Sequence, residues 1–182
     1  MNVERHVSLK QLNYHIVSPN LIETLHLQLR QPTTEDLGVL GNLWRDKKVR
    51  QFLGGTISDE EIEAKIVAIQ DHWNRYGFGQ FAIYNKNTEQ IIGICGLHHS
   101  EDGIEISYML FPAYWGFGLA TEAVCASLNY GFNFLKLNRI VAITQEANRS
   151  SCKLLEKIGM NYTSTLFRFG EVQCVYTLTQ PE

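Results

Sequence analysis

The sequence predicts an α/β chain on a mostly antiparallel sheet, with one strand–helix–strand crossover in its second half. Three observations predict it. Apolar spacing changes from helical to alternating near residue 78. Short polar segments then separate three alternating runs, as hairpin turns do. Further on, an alanine-rich helical stretch lies between two alternating runs. The 182 residues are 45% hydrophobic with no break in composition, so a single domain over 23–182 is expected.

In chain order, residues 1–22 fit no clear element and read as an N-terminal extension. "TLHLQLR" (24–30) alternates as a strand, and "TTEDLGVLGNLWRD" (33–46) opens with a threonine cap before an amphipathic helix. A turn at "GGTISD" leads into a helix over 59–76, where Ile62, Ile66, Ile69 and Trp73 share one stripe. "GQFAIYN" (79–85), "EQIIGICGLHH" (89–99) and "GIEISYMLF" (103–111) then read as an antiparallel meander joined by "KNT" and "SED". "ATEAVCASLNYGFNFL" (120–135) is a helix, "NRIVAITQ" (138–145) a strand and "NRSSCKLLEKIG" (148–159) a helix closed by Gly159. Residues 161–170 and 171–179 form a last pair of strands.

Composition narrows the function classes. A formal net charge of -3 gives no electrostatic reason for tight binding to nucleic acid or an anionic membrane, and it suits an amine-bearing partner. The longest apolar runs, such as "IIGICGL" (91–97), are too short to span a bilayer. The start "MNVERHVSLKQ" lacks the apolar run of a secretory signal, so a cytoplasmic location is expected. Cys95, Cys125, Cys152 and Cys174 are scattered without a C-x-x-C pair, which points to reduced buried thiols rather than zinc or disulfides. His98 and His99 are adjacent in a strand, where neighbours point to opposite faces, and read as hairpin residues, not metal ligands. A cysteine–histidine nucleophile is disfavoured, because Cys95 and Cys125 lie in apolar stretches and only Cys152 stands near a helix start.

The stretch "YWGFGLATEA" (114–123) carries the chemistry. A strand, then G-x-G-x-A, then a helix presents backbone N–H groups and the positive end of a helix dipole at one spot, which suits an anion. Side chains at 116 or 118 would obstruct phosphate oxygens approaching the main chain. A dinucleotide fingerprint fails, because Thr121 holds its last glycine or alanine position and no acidic residue follows at the required distance. A Walker loop fails for lack of its lysine. A tight turn that binds nothing is the remaining alternative.

The chain resembles the GNAT family of acyl-CoA-dependent N-acetyltransferases. The family's pyrophosphate loop, Gln/Arg-x-x-Gly-x-Gly/Ala, is matched at Trp115, Gly118 and Ala120. Tyr114 to Ala123 nearly reproduces the run typical of the branch containing bacterial ribosomal-protein N-terminal acetyltransferases. "LHLQLRQPTTEDL", "IEISYML" and "NRIVAIT…NRSSCKLLEKIGM" extend the match over 23–179 in the family's order. Two departures are Trp115 in place of the usual Gln or Arg, and Leu119 in place of the branch's aromatic; neither removes a backbone donor.

The resemblance implies a mixed, mostly antiparallel sheet of about seven strands flanked by four helices, with two splayed parallel strands receiving acetyl-CoA. It implies that the pantetheine arm pairs with the main chain at Met109, Leu110 and Phe111. The phosphates would then lie on Gly116, Phe117, Gly118, Leu119, Ala120 and Thr121, with Asn148 and Ser151 also at the cofactor. For catalysis it implies Glu105 as general base, Asn148 for orientation and Ser151 as proton donor or thiolate stabiliser, with no metal. Glu105 also reads as a solvated carboxylate, and Asn148 as a plain helix cap. A tyrosine acid one turn beyond Ser151 is not expected, since Leu155 occupies that region. "FLGG" (52–55) and "WNRYGFG" (73–79) are expected near the acceptor.

The expected acceptor is a primary amine, at a peptide N-terminus or on a small molecule such as a polyamine, aminoglycoside or amino acid. Reaching the free base at pH 7 is about 3.5 kcal/mol easier for an α-amino group than for a lysine amine. The competing class is a non-catalytic acyl-CoA-binding module, and the assembly is expected to be a monomer or homodimer.

Overall fold

A computed structural model describes residues 14–180. Its strands are β1 (Tyr14–Ser18), β2 (Leu21–Thr24), β3 (Leu27–Arg30), β4 (Gln80–Asn85), β5 (Gln90–Ser100), β6 (Gly103–Leu110), β7 (Arg139–Gln145), β8 (Asn161–Arg168) and β9 (Glu171–Thr179). The helices are α1 (Thr34–Arg45), α2 (Asp59–Tyr76), α3 (Leu119–Asn129) and α4 (Arg149–Lys157). Among the described residues, the nine strands form one sheet in the order β1-β2-β3-β4-β5-β6-β7-β9-β8.

Local chemistry fixes the ends of α1 and α2. Thr33 accepts a hydrogen bond from the Asp36 N–H at 3.2 Å while the Asp36 carboxylate accepts one from the Thr33 N–H at 2.8 Å. Ser58 and Glu61 repeat this reciprocal cap on α2 at 3.2 and 2.9 Å. Each cap of this kind contributes about 1 kcal/mol. Gly77, with φ 72°, takes the left-handed turn that stops α2. Ile62, Ile69 and Trp73 of the expected stripe are buried, and Ile66 is half-buried against the same core.

The two faces of the sheet carry different helices. In β5, Ile94 and His98 look toward the α2 side, where both line a cavity. Alternate residues look toward α3, where the Cys95 thiol meets the Ser127 hydroxyl at 3.5 Å. All four cysteines are buried free thiols. No described helix is long and apolar enough to cross a membrane.

The structure departs from the sequence reading in three places, and the first two change the count from seven strands to nine. The alternating run 24–30 breaks at Leu25 and His26, so β2 turns back on β3 as a hairpin. Thr24 enforces that turn: its hydroxyl donates to the Leu27 carbonyl at 2.9 Å and accepts from the Leu27 N–H at 2.8 Å. Residues 14–22, read as having no element, supply β1 and the start of β2; residues 1–13 of that extension lie outside the described residues. The helix expected over 120–135 ends as α-helix at Asn129 and widens into a π-turn at Tyr130–Phe134. A Cβ on Gly131 would lie 2.7 Å from Ile140 and Leu97, so the widened turn presses its backbone directly on the sheet.

The crossover β6–α3–β7 makes β6 and β7 parallel neighbours, and their pairing is brief. Glu105 opposite Val141 is the one register pair, against seven consecutive pairs between β7 and β9. Beyond Glu105 the sheet opens.

Candidate active site

The opening exposes a defined set of backbone groups. The Phe111 N–H donates to the Ile92 carbonyl at 2.9 Å, and Ile94 lies opposite Met109, so the main chains of Met109 and Phe111 turn toward β5. By alternation, the N–H and C=O groups of Tyr108 and Leu110 turn toward β7, where no register pair follows Glu105. Of the three positions expected to pair with a pantetheine arm, Leu110 therefore faces the gap, and Tyr108 joins it in place of Met109 and Phe111. The Leu110 carbonyl already accepts from the Trp115 indole N–H at 2.8 Å, which gives the departure at Trp115 a structural role. From Leu110 back to Glu105 the gap runs about 17 Å at the strand rise.

At the outer end of this gap stands the N-terminus of α3. Gly116 and Gly118 both have left-handed backbones, φ 84° and 79°, with open space where a Cβ would point. Thr33, Ser58 and Asn148 cap α1, α2 and α4 with side chains, whereas α3 has no side-chain cap. The first amides of α3, at Leu119, Ala120 and Thr121, thus face outward with the positive helix end behind them. The Phe117 side chain is exposed beside them. Uncapped donors, two left-handed glycines and the gap-facing backbone of Tyr108 and Leu110 together fit a diphosphate joined to an amide-bearing arm. The start of α3 is also tied down: Glu122 in its first turn accepts from both the His26 backbone N–H and the His26 ring at 2.8 Å.

Across the gap, α4 begins at Asn148, whose side chain accepts from the Ser151 N–H at 3.2 Å. Asn148 is thus a helix cap, as its residue type suggests. The Ser151 hydroxyl lies 2.7 Å from that of Tyr108, which points off β6 toward α4. Burial pushes the Tyr108 phenol well above its ordinary value, partly countered by the Ser151 hydrogen bond, so it stays protonated. No tyrosine is expected one turn beyond Ser151, and the tyrosine hydroxyl beside Ser151 comes from β6 instead. Alternation placed Tyr108 on the face opposite Glu105, but the contact with α4 appears only once the chain is folded.

On the other face of β6, Glu105 lies at the point where the strands part. Burial is the main influence on its carboxyl and pushes it above the ordinary range, against opposing pulls from the Ser100 hydrogen bond and the Arg168 charge. It lines a cavity of about 410 Å³ between α2 and the sheet, with Ser107 and Met109 beside it on β6. Leu53 of the "FLGG" turn and Arg50 just before it line the same cavity, as does Trp44 of α1.

Three histidines gather at this cavity: His98 and His99 stand in the β5–β6 hairpin, as read, and both border the cavity beside His72. The His72 ring sits 2.8 Å from the Phe78 carbonyl and 3.1 Å from the His99 ring, and accepts from the His99 backbone N–H at 3.1 Å. The His98 ring lies 3.5 Å from Ser107, whose hydroxyl accepts from Gln80 at 2.5 Å. Burial, then the charges of His72, His99 and Lys65, push His98 down to about 4, so it is neutral at pH 7. His72 is held low chiefly by burial as well. The twist at the end of β5 and the arrival of α2 bring these rings together, which no local pattern announces. No described cluster of three or more His, Cys, Asp or Glu is arranged to hold a metal ion.

Comparison with known proteins agrees with this geometry. Residues 26–161 match the acetyltransferase (GNAT) domain profile. The chain is 37% identical over 146 residues to the uncharacterized N-acetyltransferase p20 of Bacillus licheniformis, covering 76% of this chain and 82% of that protein. Its fold is similar to the ribosomal-protein-S5-alanine acetyltransferase of Vibrio fischeri, with TM-score 0.72, 19% identity and coverage of 87% and 96%. It is equally similar to the spermidine N-acetyltransferase of Vibrio cholerae solved with CoA and spermine, with TM-score 0.72, 20% identity and coverage of 85% and 96%. Profile, relative and fold agree with the parted strands and uncapped helix: the chain belongs to the GNAT family of N-acetyltransferases.

Proposed function

We propose that the protein transfers the acetyl group of acetyl-CoA to the α-amino group at the N-terminus of a peptide or protein, as in the ribosomal-protein acetyltransferase branch. The observation that carries this reading is the opening between β6 and β7, with bare α3 amides at its outer end and Glu105 where the strands meet. The diphosphate lies on the amides of residues 116–121. The arm runs inward along the main chain of Tyr108 and Leu110, so the thioester reaches the inner part of the gap.

Glu105 takes a proton from the incoming ammonium, directly or through water, and the freed amine attacks the thioester carbonyl. The tetrahedral adduct collapses with cleavage of the C–S bond. The departing thiolate takes a proton from the Ser151 hydroxyl, which is backed by Tyr108 and the positive end of α4, and Ser151 regains a proton through water from the acylated nitrogen, whose second proton leaves as the amide forms. Asn148 holds that helix end in place. The α-amine is preferred because its free base is easier to reach and one buried carboxylate is the base available. The fold accommodates both ribosomal-protein and spermidine acetyltransferases among its likenesses, so it does not itself choose the acceptor.

The test is release of free thiol from acetyl-CoA over a panel of peptides with free or blocked N-termini, lysine side-chain amines and small amines. Faster release with free peptide N-termini is expected. Binding of acetyl-CoA with no thiol released on any acceptor would mean a non-catalytic module and overturn the proposal.

A further inference from the structure

The cavity beside Glu105 is charged in a way that constrains its guest. Its lining holds two permanent cations, Arg50 from the α1–α2 connection and Lys65 from α2, against the single carboxylate of Glu105. The nearby Glu61 carboxylate is already engaged as the cap partner of Ser58. Arg50 donates to the carbonyl of Gly55 at 2.6 Å and to that of Leu53, holding the turn over the cavity. Lys65, exposed at the rim of the cavity, makes no hydrogen bond or ion pair with any described residue. His72 and His98, held neutral, add no negative charge.

We propose that this cavity selects acceptors carrying a carboxylate close to the amine, with Lys65 as the residue that receives it and Arg50 in support. The inference rests on the transferase reading and names its substrate class. Glu105 attends the amine, and the cation of α2 attends the anion, so an acceptor with both groups finds both partners. A polyamine meets the opposite arrangement, since its second and third charges would approach Lys65 and Arg50. On a peptide, the carboxylate is an acidic side chain near the N-terminus; on a small molecule, it is the acid group of a free amino acid.

The experiment compares kcat/KM for matched acceptors differing in one group. One arm uses the N-terminally free peptide amides Ser-Asp-Ala and Ser-Asn-Ala, and the other uses β-alanine and β-alaninamide; spermidine is run beside them. The carboxylate member is expected to lead by about tenfold or more in at least one arm, the scale of a hydrogen bond to a charged group. The arm that shows it identifies the source of the carboxylate. In Lys65→Glu the order is expected to invert. Equal rates within both pairs, spermidine as the best acceptor, or discrimination retained in Lys65→Glu would overturn the selectivity while leaving the transferase reading intact. No thiol release with any amine would instead overturn the transfer reaction and this inference with it.

Discussion

Replacing Gly118 with aspartate separates binding from folding at one position. A Cβ at Gly118 meets nothing within 4 Å, so the side chain has room. The left-handed backbone at φ 79° costs a non-glycine residue about 1–2 kcal/mol. A carboxylate at the uncapped start of α3 returns up to about 1 kcal/mol through the helix dipole. Stability should therefore change by about 1 kcal/mol, a shift in Tm of roughly 2–4 °C for a chain of this size. Acetyl-CoA fares differently. A carboxylate about 5 Å from a phosphate charge, at an effective dielectric constant of about 20, is repelled by about 3 kcal/mol, and the diphosphate also loses its donors. Calorimetry should show affinity falling at least about a hundredfold, with part of the loss masked at high salt. Gly118→Ala carries the strain without the charge and should lose less than about tenfold. A Gly118→Asp protein that folds normally and binds acetyl-CoA within about threefold of the unaltered chain would refute the placement of the diphosphate.

Glu105→Gln tests the base. Because burial raises its pKa, Glu105 is protonated and idle below that value and active above it, so kcat/KM should rise with pH through a limb lying above the ordinary glutamate range. Glu105→Gln should lower turnover by about a hundredfold or more and abolish the limb; an unchanged pH profile would exclude the role. Ser151→Ala and Tyr108→Phe should each lower kcat by about tenfold to a hundredfold with little loss of acetyl-CoA affinity. The double variant should do little further harm if the hydroxyls act as one unit. Equal losses in turnover and affinity would mark Ser151 as positional.

Legibility in the sequence followed the range of the interactions. The span of α2 and the threonine cap of α1 could be read because they depend on residues at most four apart: Thr33 just before its helix, and the stripe of Ile62, Ile66, Ile69 and Trp73. The meander of β4 to β6 could be read for the same reason. The break at Leu25–His26 could not, because apolar alternation continues across it and only the Thr24 side chain bends the chain back. The π-turn after α3 escaped because its cause is Gly131 pressing on Leu97 and Ile140, one far back in sequence and the other on the next strand. At the site, the glycine loop and Glu105 stood out by local pattern, while Tyr108 against Ser151 and the three histidines depended on helices arriving from elsewhere. Which of Met109, Leu110 and Phe111 turns its peptide group toward the gap could not be read, because only the hydrogen bonding with β5 decides that.

A sheet joined across its middle by a single rung has a seam. On one side of it lie β1 to β6 and on the other β7 to β9, and past Glu105 and Val141 no register pair joins them. An arm that bonds to the free edge of β6 supplies missing rungs, so the loaded molecule is a more complete sheet than the empty one. On the proposed placement, ligand and scaffold share one set of hydrogen bonds, so that release of spent coenzyme reopens the seam and a fresh molecule closes it.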